Sequence, residues 1–85
     1  MERAIIIEDE YNVRKGLISL LENYCPSVKI VGEAGTVKDA IDLINRQAPE
    51  LVFLDIQLPD GTGFDVLKSI KHANIKVIFV TAFSE

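Results

Sequence analysis

The sequence predicts an α/β domain built on a parallel sheet, and three observations carry that prediction. Short apolar runs at residues 4–7 and 51–54 suit strands buried on both faces, and a further apolar run at 77–80 suits another strand; all three are short for helices. Between them the apolar period lengthens to that of a helix. Strand-like and helix-like stretches then alternate along the whole chain, which implies βαβ units with right-handed crossovers rather than a sandwich or a bundle. The run at 51–54 is central: Pro49-Glu50 precedes it, a Pro59-Asp60-Gly61 turn follows it, and it stops on Asp55.

The chain has 85 residues, 48% of them hydrophobic, and a formal net charge of -4. That length allows one domain with a modest core. No apolar run approaches the roughly 20 residues needed to cross a bilayer, and Met1-Glu2-Arg3 passes straight into the first apolar run. No membrane association and a cytoplasmic location are therefore expected. A surplus of acid argues against direct nucleic acid contact by this segment, because phosphate neutralisation needs clustered lysine and arginine. Cys25 is the single cysteine and cannot form an internal disulfide; packing is the expected role. His72, near a helix end, is expected to be solvated.

In order, residues 4–7 form the first strand and run into Glu8-Asp9-Glu10. Val13, Leu17, Leu20, Leu21 and Tyr24 then mark the apolar stripe of a helix, with Arg14, Lys15 and Glu22 mostly off it; Asp9 or Asn12 caps its start and Cys25-Pro26 ends it. Residues 28–34 read as a strand nearer an edge, since polar residues interrupt them, and Gly35 makes the turn. Thr36 and Asp39 resemble a weakened capping box before a helix with Val37, Ala40, Ile41 and Ile44 facing inward, stopped by Pro49. A third helix begins near residues 62–65, carries Phe64, Leu67 and Ile70 on its stripe and ends at residues 72–74; residues 76–81 form the fourth strand. Lys68 and Lys71 are expected on a solvated face near the third helix's C-terminal dipole.

Strands of a parallel sheet point the same way, so Glu8, Asp9, Asp55 and Thr81 arrive at one edge, where open α/β sheets bind ligands. Crowded carboxylates repel one another and raise at least one pKa unless a cation neutralises them. An oxygen-lined site suits magnesium, which takes one or two carboxylates together with waters and a phosphate oxygen. An aspartate is ordinarily ionised at neutral pH and attacks phosphorus without a general base. The Thr81 hydroxyl can donate to a phosphoryl oxygen, and Ala82 leaves room beside it.

Residues 5–10 (Ile-Ile-Ile-Glu-Asp-Glu), 52–63 (Val-Phe-Leu-Asp-Ile-Gln-Leu-Pro-Asp-Gly-Thr-Gly) and 77–82 (Val-Ile-Phe-Val-Thr-Ala) together resemble the receiver domain of bacterial two-component response regulators. The resemblance implies a flavodoxin-like, doubly wound parallel sheet, strands 2-1-3-4-5. It implies that Asp55 accepts a phosphoryl group from a sensor histidine kinase. Asp9, helped by Glu8 where an aspartate is often found, would hold Mg2+ together with Asp55 and the backbone carbonyl of Gln57. Thr81 would be the switch hydroxyl with Ala82 beside it, Pro59, Gly61 and Gly63 would shape the loop, and Tyr11 and Asn12 would lie near the kinase-docking surface. The wording from 58 to 64 and from 81 to 85 looks most like regulators that carry a LytTR DNA-binding output domain.

Within a family domain of roughly 120 residues, residues 1–85 are expected to span a truncated receiver: strands in the order 2-1-3-4 and three helices, without the fourth helix, fifth strand and fifth helix. The family's catalytic lysine is then unassigned, and Lys76 falls at the wrong end of its strand. Two expectations follow: association of copies through the bare fourth strand, and poor phosphorylation for want of that cation. The chain is not expected to be an enzyme beyond Mg2+-dependent self-phosphorylation. Rival readings are a receiver-like interaction module without phosphoryl transfer and a phosphohydrolase of the haloacid dehalogenase type. The latter needs an acid two residues past the nucleophile, where Gln57 stands. Gly32 and Gly35 lack the glycine-rich dinucleotide pattern after the first strand.

Overall fold

A computed structural model describes residues 1–70 and 74–80. The elements are β1 (Glu2–Ile7), α1 (Tyr11–Tyr24), β2 (Val28–Ala34), α2 (Val37–Gln47), β3 (Leu51–Asp55), β4 (Gln57–Leu58), β5 (Gly61–Thr62), α3 (Gly63–Ser69) and β6 (Lys76–Val80). Four strands make one parallel sheet in the order β2-β1-β3-β6. This is the expected 2-1-3-4 order of a flavodoxin-like sheet, the fourth long strand being β6. Between β3 and α3 lies a detail that the sequence reading did not foresee, a two-residue antiparallel hairpin in which Gln57 pairs with Thr62 and Leu58 with Gly61.

The apolar runs at residues 4–7 and 51–54 are continuous because both faces of β1 and β3 are covered. Ile5, Ile7, Val52 and Leu54 point to one face and pack with Ala40, Leu43 and Ile44 of α2 and Val66 of α3. Ala4, Ile6, Leu51 and Phe53 point to the other, against Leu21 of α1 and the partly buried Leu17, Ile18 and Cys25. Alternate residues of each strand thus enter different cores, which is the period-2 geometry of a pleat used on both sides.

The helices differ in detail from the expected ones. Neither Asp9 nor Asn12 caps α1: the cap position is Glu10, with no side-chain hydrogen bond. Of the expected stripe, Leu20 and Tyr24 are exposed, and Ile18 packs in their place. In α3, Phe64 is exposed while Val66 and Gly63 are buried, and the helix ends at Ser69. Phe64 turns instead to Phe79 on β6, ring centroids 5.4 Å apart. Of the expected end at residues 72–74, His72 and Ala73 lie outside the described residues, as does Lys71.

Helix α2 is held from elsewhere at both ends. The Thr36 hydroxyl accepts from Asp39 N, as expected, but the first two amides, of Val37 and Lys38, donate to the carboxylate of Asp60 at 2.7 and 3.1 Å. Asp60 lies in the β4–β5 turn, so the hairpin caps the helix, and these amides hold its carboxyl below its ordinary pKa. At the other end the Arg3 guanidinium donates to Ala48 O at 3.2 Å and to the Gln47 side chain at 3.0 Å. Thr62 and Asp65 form a complete capping box at α3.

Candidate functional site

The site begins with register. Ile7 of β1 pairs with both Ala34 of β2 and Leu54 of β3, so these strands end level. The next residues are Glu8, just past β1, and Asp55, the last residue of β3, so both stand at the same rim, and Glu8 N donates to Ala34 O at 3.0 Å. Carboxylate oxygens of Glu8, Asp9 and Asp55 all lie within 4.8 Å of one another. Asp9 is exposed, Asp55 half-buried and Glu8 buried, only 6% accessible.

Burial makes Glu8 the unusual member. Its Oε2 is buried without a hydrogen-bond partner. Desolvation above all, followed by the hydrogen bond and charge of Asp55 and the charge of Asp9, pushes its pKa from 4.5 to about 8. As an anion Glu8 finds no donor for Oε2; protonated, it finds an acceptor in Asp55. A divalent cation would supply what the anion lacks. A buried, unpartnered carboxylate oxygen beside two more carboxylates is an all-oxygen donor set that fits a hard ion such as Mg2+. Among the described residues, no cationic side chain bonds a carboxylate of this cluster.

The loop beyond Asp55 is tightly shaped. Gln57 N donates to Asp55 Oδ1 at 3.3 Å, while the Gln57 side chain is exposed. Pro59 and Asp60 make the turn, and Gly61 has φ +157°, in a region nearly confined to glycine. A Cβ on Gly63 would come within 2.6 Å of Asp55 O, so only glycine lets α3 start against the end of β3. Gly63 N in turn donates to Ile56 O at 2.8 Å.

Lys76 stands opposite Leu51, at the far end of the sheet, where its Nζ pairs with Glu2 at 2.9 Å. Asp55 is level with Val80 on β6. Thr81 and Ala82, expected next to it, lie outside the described residues. Two contributors went unread in the sequence. Asp60 looked like a turn former, and Arg14 like a helix residue off the apolar stripe; Arg14 is largely covered and donates to Glu8 O at 2.6 Å.

A parallel sheet with helices on both faces and an acidic cluster where β1 and β3 end is a doubly wound α/β domain with its candidate site at the carboxyl ends of the strands, where such sheets bind ligands. The response regulator receiver domain family matches residues 4–85, and the chain belongs to that family. It is 38% identical to the sensory transduction protein LytT of Bacillus anthracis over 88 aligned positions, covering the whole chain and 35% of LytT. LytT of Bacillus cereus matches equally well, which bears out the finer likeness to LytTR-type regulators. The chain thus spans about a third of the length of these relatives. Among solved structures, a LuxR-family DNA-binding response regulator from Staphylococcus aureus superposes with a TM-score of 0.88 at 37% identity, covering the whole chain and 72% of that structure. The MaeR response regulator bound to beryllium trifluoride superposes with a TM-score of 0.85 at 31% identity, covering the whole chain and 70% of that structure.

Proposed function

We propose that residues 1–85 are the phosphoacceptor part of a response regulator, in which Asp55 takes a phosphoryl group from a sensor histidine kinase. The observation that carries this reading is the convergence of Glu8, Asp9 and Asp55 at one rim of the sheet. An Asp55 oxygen bonds to phosphorus as the bond from phosphorus to the donor's imidazole nitrogen breaks, its electron pair leaving with the ring. Asp9, Asp55, Glu8 and the carbonyl of Gln57 are the groups assigned to Mg2+. Bound there, the ion offsets the charge of the carboxylates and of the transferred group. The chain's own part is positional. The Gln57 amide orients one oxygen of Asp55, and Gly63 leaves the loop room to pass. Thr81 is assigned the hydroxyl that meets the phosphoryl group, with Ala82 beside it. MaeR, at 31% identity, binds beryllium trifluoride, a tetrahedral stand-in for a phosphoryl group.

The signal would pass to an output domain; relatives include proteins described as DNA-binding regulators. A cytoplasmic setting and no direct grip on nucleic acid or membrane go with this role, and among the described residues no helix is long and apolar enough to span a membrane. Self-association through β6 belongs to the same proposal, since Ile78 and Phe79 on that strand are 46% and 40% exposed. Light scattering at high micromolar concentration is expected to show a dimer or larger species, and a monomer would refute that part.

The test of phosphorylation is incubation with acetyl phosphate and Mg2+, read by intact-mass spectrometry. A partial gain of one phosphoryl group is expected, lost in Asp55→Asn and in EDTA. Gain that survives either change refutes the assignment. A phosphohydrolase acting on small esters is disfavoured because Gln57, two residues past Asp55, cannot serve as acid or base.

A further inference from the structure

We propose that Arg14 is a positioning residue for the Glu8-Asp9 pair, gripping the Glu8 carbonyl and the end of β2 in one guanidinium so that both carboxylates are aimed at the cation. The proposal rests on the reading of Glu8 and Asp9 as cation ligands.

Arg14 sits on the first turn of α1, where charged side chains ordinarily extend into solvent. Here the side chain is only 17% exposed. Its Nη1 donates to Glu8 O at 2.6 Å, and its Nε donates to Glu33 Oε1 at 2.7 Å. Glu33 lies opposite Ile6 on the neighbouring strand. With Glu8 N bonded to Ala34 O, both backbone polar groups of Glu8 are held: the amide by β2, the carbonyl by Arg14. Glu8 is therefore held through both of its flanking peptides, Arg14 gripping the carbonyl of the one that joins it to Asp9, and the two liganding side chains hang on either side of that carbonyl. Room for the guanidinium comes from Gly35, where a Cβ would stand 3.3 Å from Nη1 and 3.6 Å from the Asp9 Cα.

Only arginine meets this demand, because a planar fork can donate in two fixed directions while an ammonium cannot hold both at that geometry. Lys15 provides an internal contrast. It also pairs with Glu33, at 2.9 Å, but is 44% exposed and its one side-chain hydrogen bond among the described residues is that to Glu33. Groups behind metal ligands typically change affinity by 10- to 100-fold when removed.

The experiment compares Arg14→Lys, Arg14→Gln and Lys15→Gln with the parent chain. Mg2+ affinity is read from amide chemical shifts, and hydrogen exchange of the Glu8 amide, which donates to Ala34 O, is read in EDTA, all at a temperature where circular dichroism shows a folded protein. Both Arg14 variants are expected to weaken Mg2+ binding roughly 10-fold and to speed exchange at Glu8 while β3 amides keep their protection. Lys15→Gln is expected to change neither. Arg14→Lys matching the parent in both readouts overturns the proposal, as does equal loss in Lys15→Gln. If the parent binds no Mg2+, the cation assignment fails; exchange still decides whether Arg14 fixes the peptide. A variant that loses protection throughout β3 shows a general stabilising role and overturns a positioning one.

Discussion

Replacing Glu8 by glutamine removes the charge that the folded chain is least able to accommodate. Below about pH 4.5 the Glu8 carboxyl is protonated in folded and unfolded chains alike. As the pH rises past that point the unfolded chain releases the proton freely, while burial, Asp55 and Asp9 make the folded chain keep it until about pH 8. A group held protonated only in the folded state makes stability fall across that window and level off above it. The interval from 4.5 to about 8, at roughly 1.4 kcal/mol for each tenfold change, sets a ceiling near 5 kcal/mol. Local opening and screening by water lower the expected loss to about 2 kcal/mol. A domain of this size holds on the order of 5 to 10 kcal/mol, so the loss is a large share. It corresponds to a fall in melting temperature of roughly 10 °C. Urea unfolding in EDTA from pH 5 to pH 8 measures it. The parent chain should lose stability over this range, Glu8→Gln should show a much flatter profile, and millimolar Mg2+ should restore more stability at pH 8 than at pH 6. A parent profile that is flat or rising, or an identical slope in Glu8→Gln, would refute the account of Glu8.

Three further outcomes are expected. Leu54 is fully buried beside the Asp55 loop, and Leu54→Ala should cost about 3 kcal/mol in urea unfolding. Gly63→Ala brings a methyl group against Asp55 O; it should destabilise by roughly 1 to 3 kcal/mol and shift the Asp55 amide resonance, and an unchanged resonance would contradict the close approach. The carboxyl of Asp60 is lowered by the Val37 amide first and then by that of Lys38. Its contribution is present above its ordinary pKa of 3.8 and is lost as the pH falls through the lower folded value. Asp60→Asn should therefore soften the acid limb of the stability profile and speed exchange of the Val37 and Lys38 amides.

What was legible in the sequence follows from how each feature is encoded. Residues 4–7 and 51–54 could be read because a strand covered on both faces has no polar interruption, and the convergence of Glu8, Asp9 and Asp55 follows from parallel strands alone. Helix faces were harder. Apolar residues surround much of α1, so Leu20 and Tyr24 fitted a stripe as well as Ile18 did, and only the packed sheet selects among them. Phe64 was misplaced because aromatic size suggests a core, yet it lies over the edge strand against Phe79. Asp60 and Arg14 were invisible in their proper roles because the partners of Asp60 lie 23 and 22 residues away and those of Arg14 sit on two strands. Nothing local marks such bonds. The two-residue pairing of β4 with β5 is too short to show any alternation.

The fastening of α2 at its two ends has a mechanical consequence. The helix cannot slide along its axis without tearing Asp60 from one terminus and Arg3 from the other. Any event at Asp55 that tugs the short hairpin therefore pulls on a strut anchored at its opposite end in β1. Strain entering there is borne along the length of α2 to the opposite rim of the sheet, and α2 and the hairpin should open to solvent as one cooperative unit.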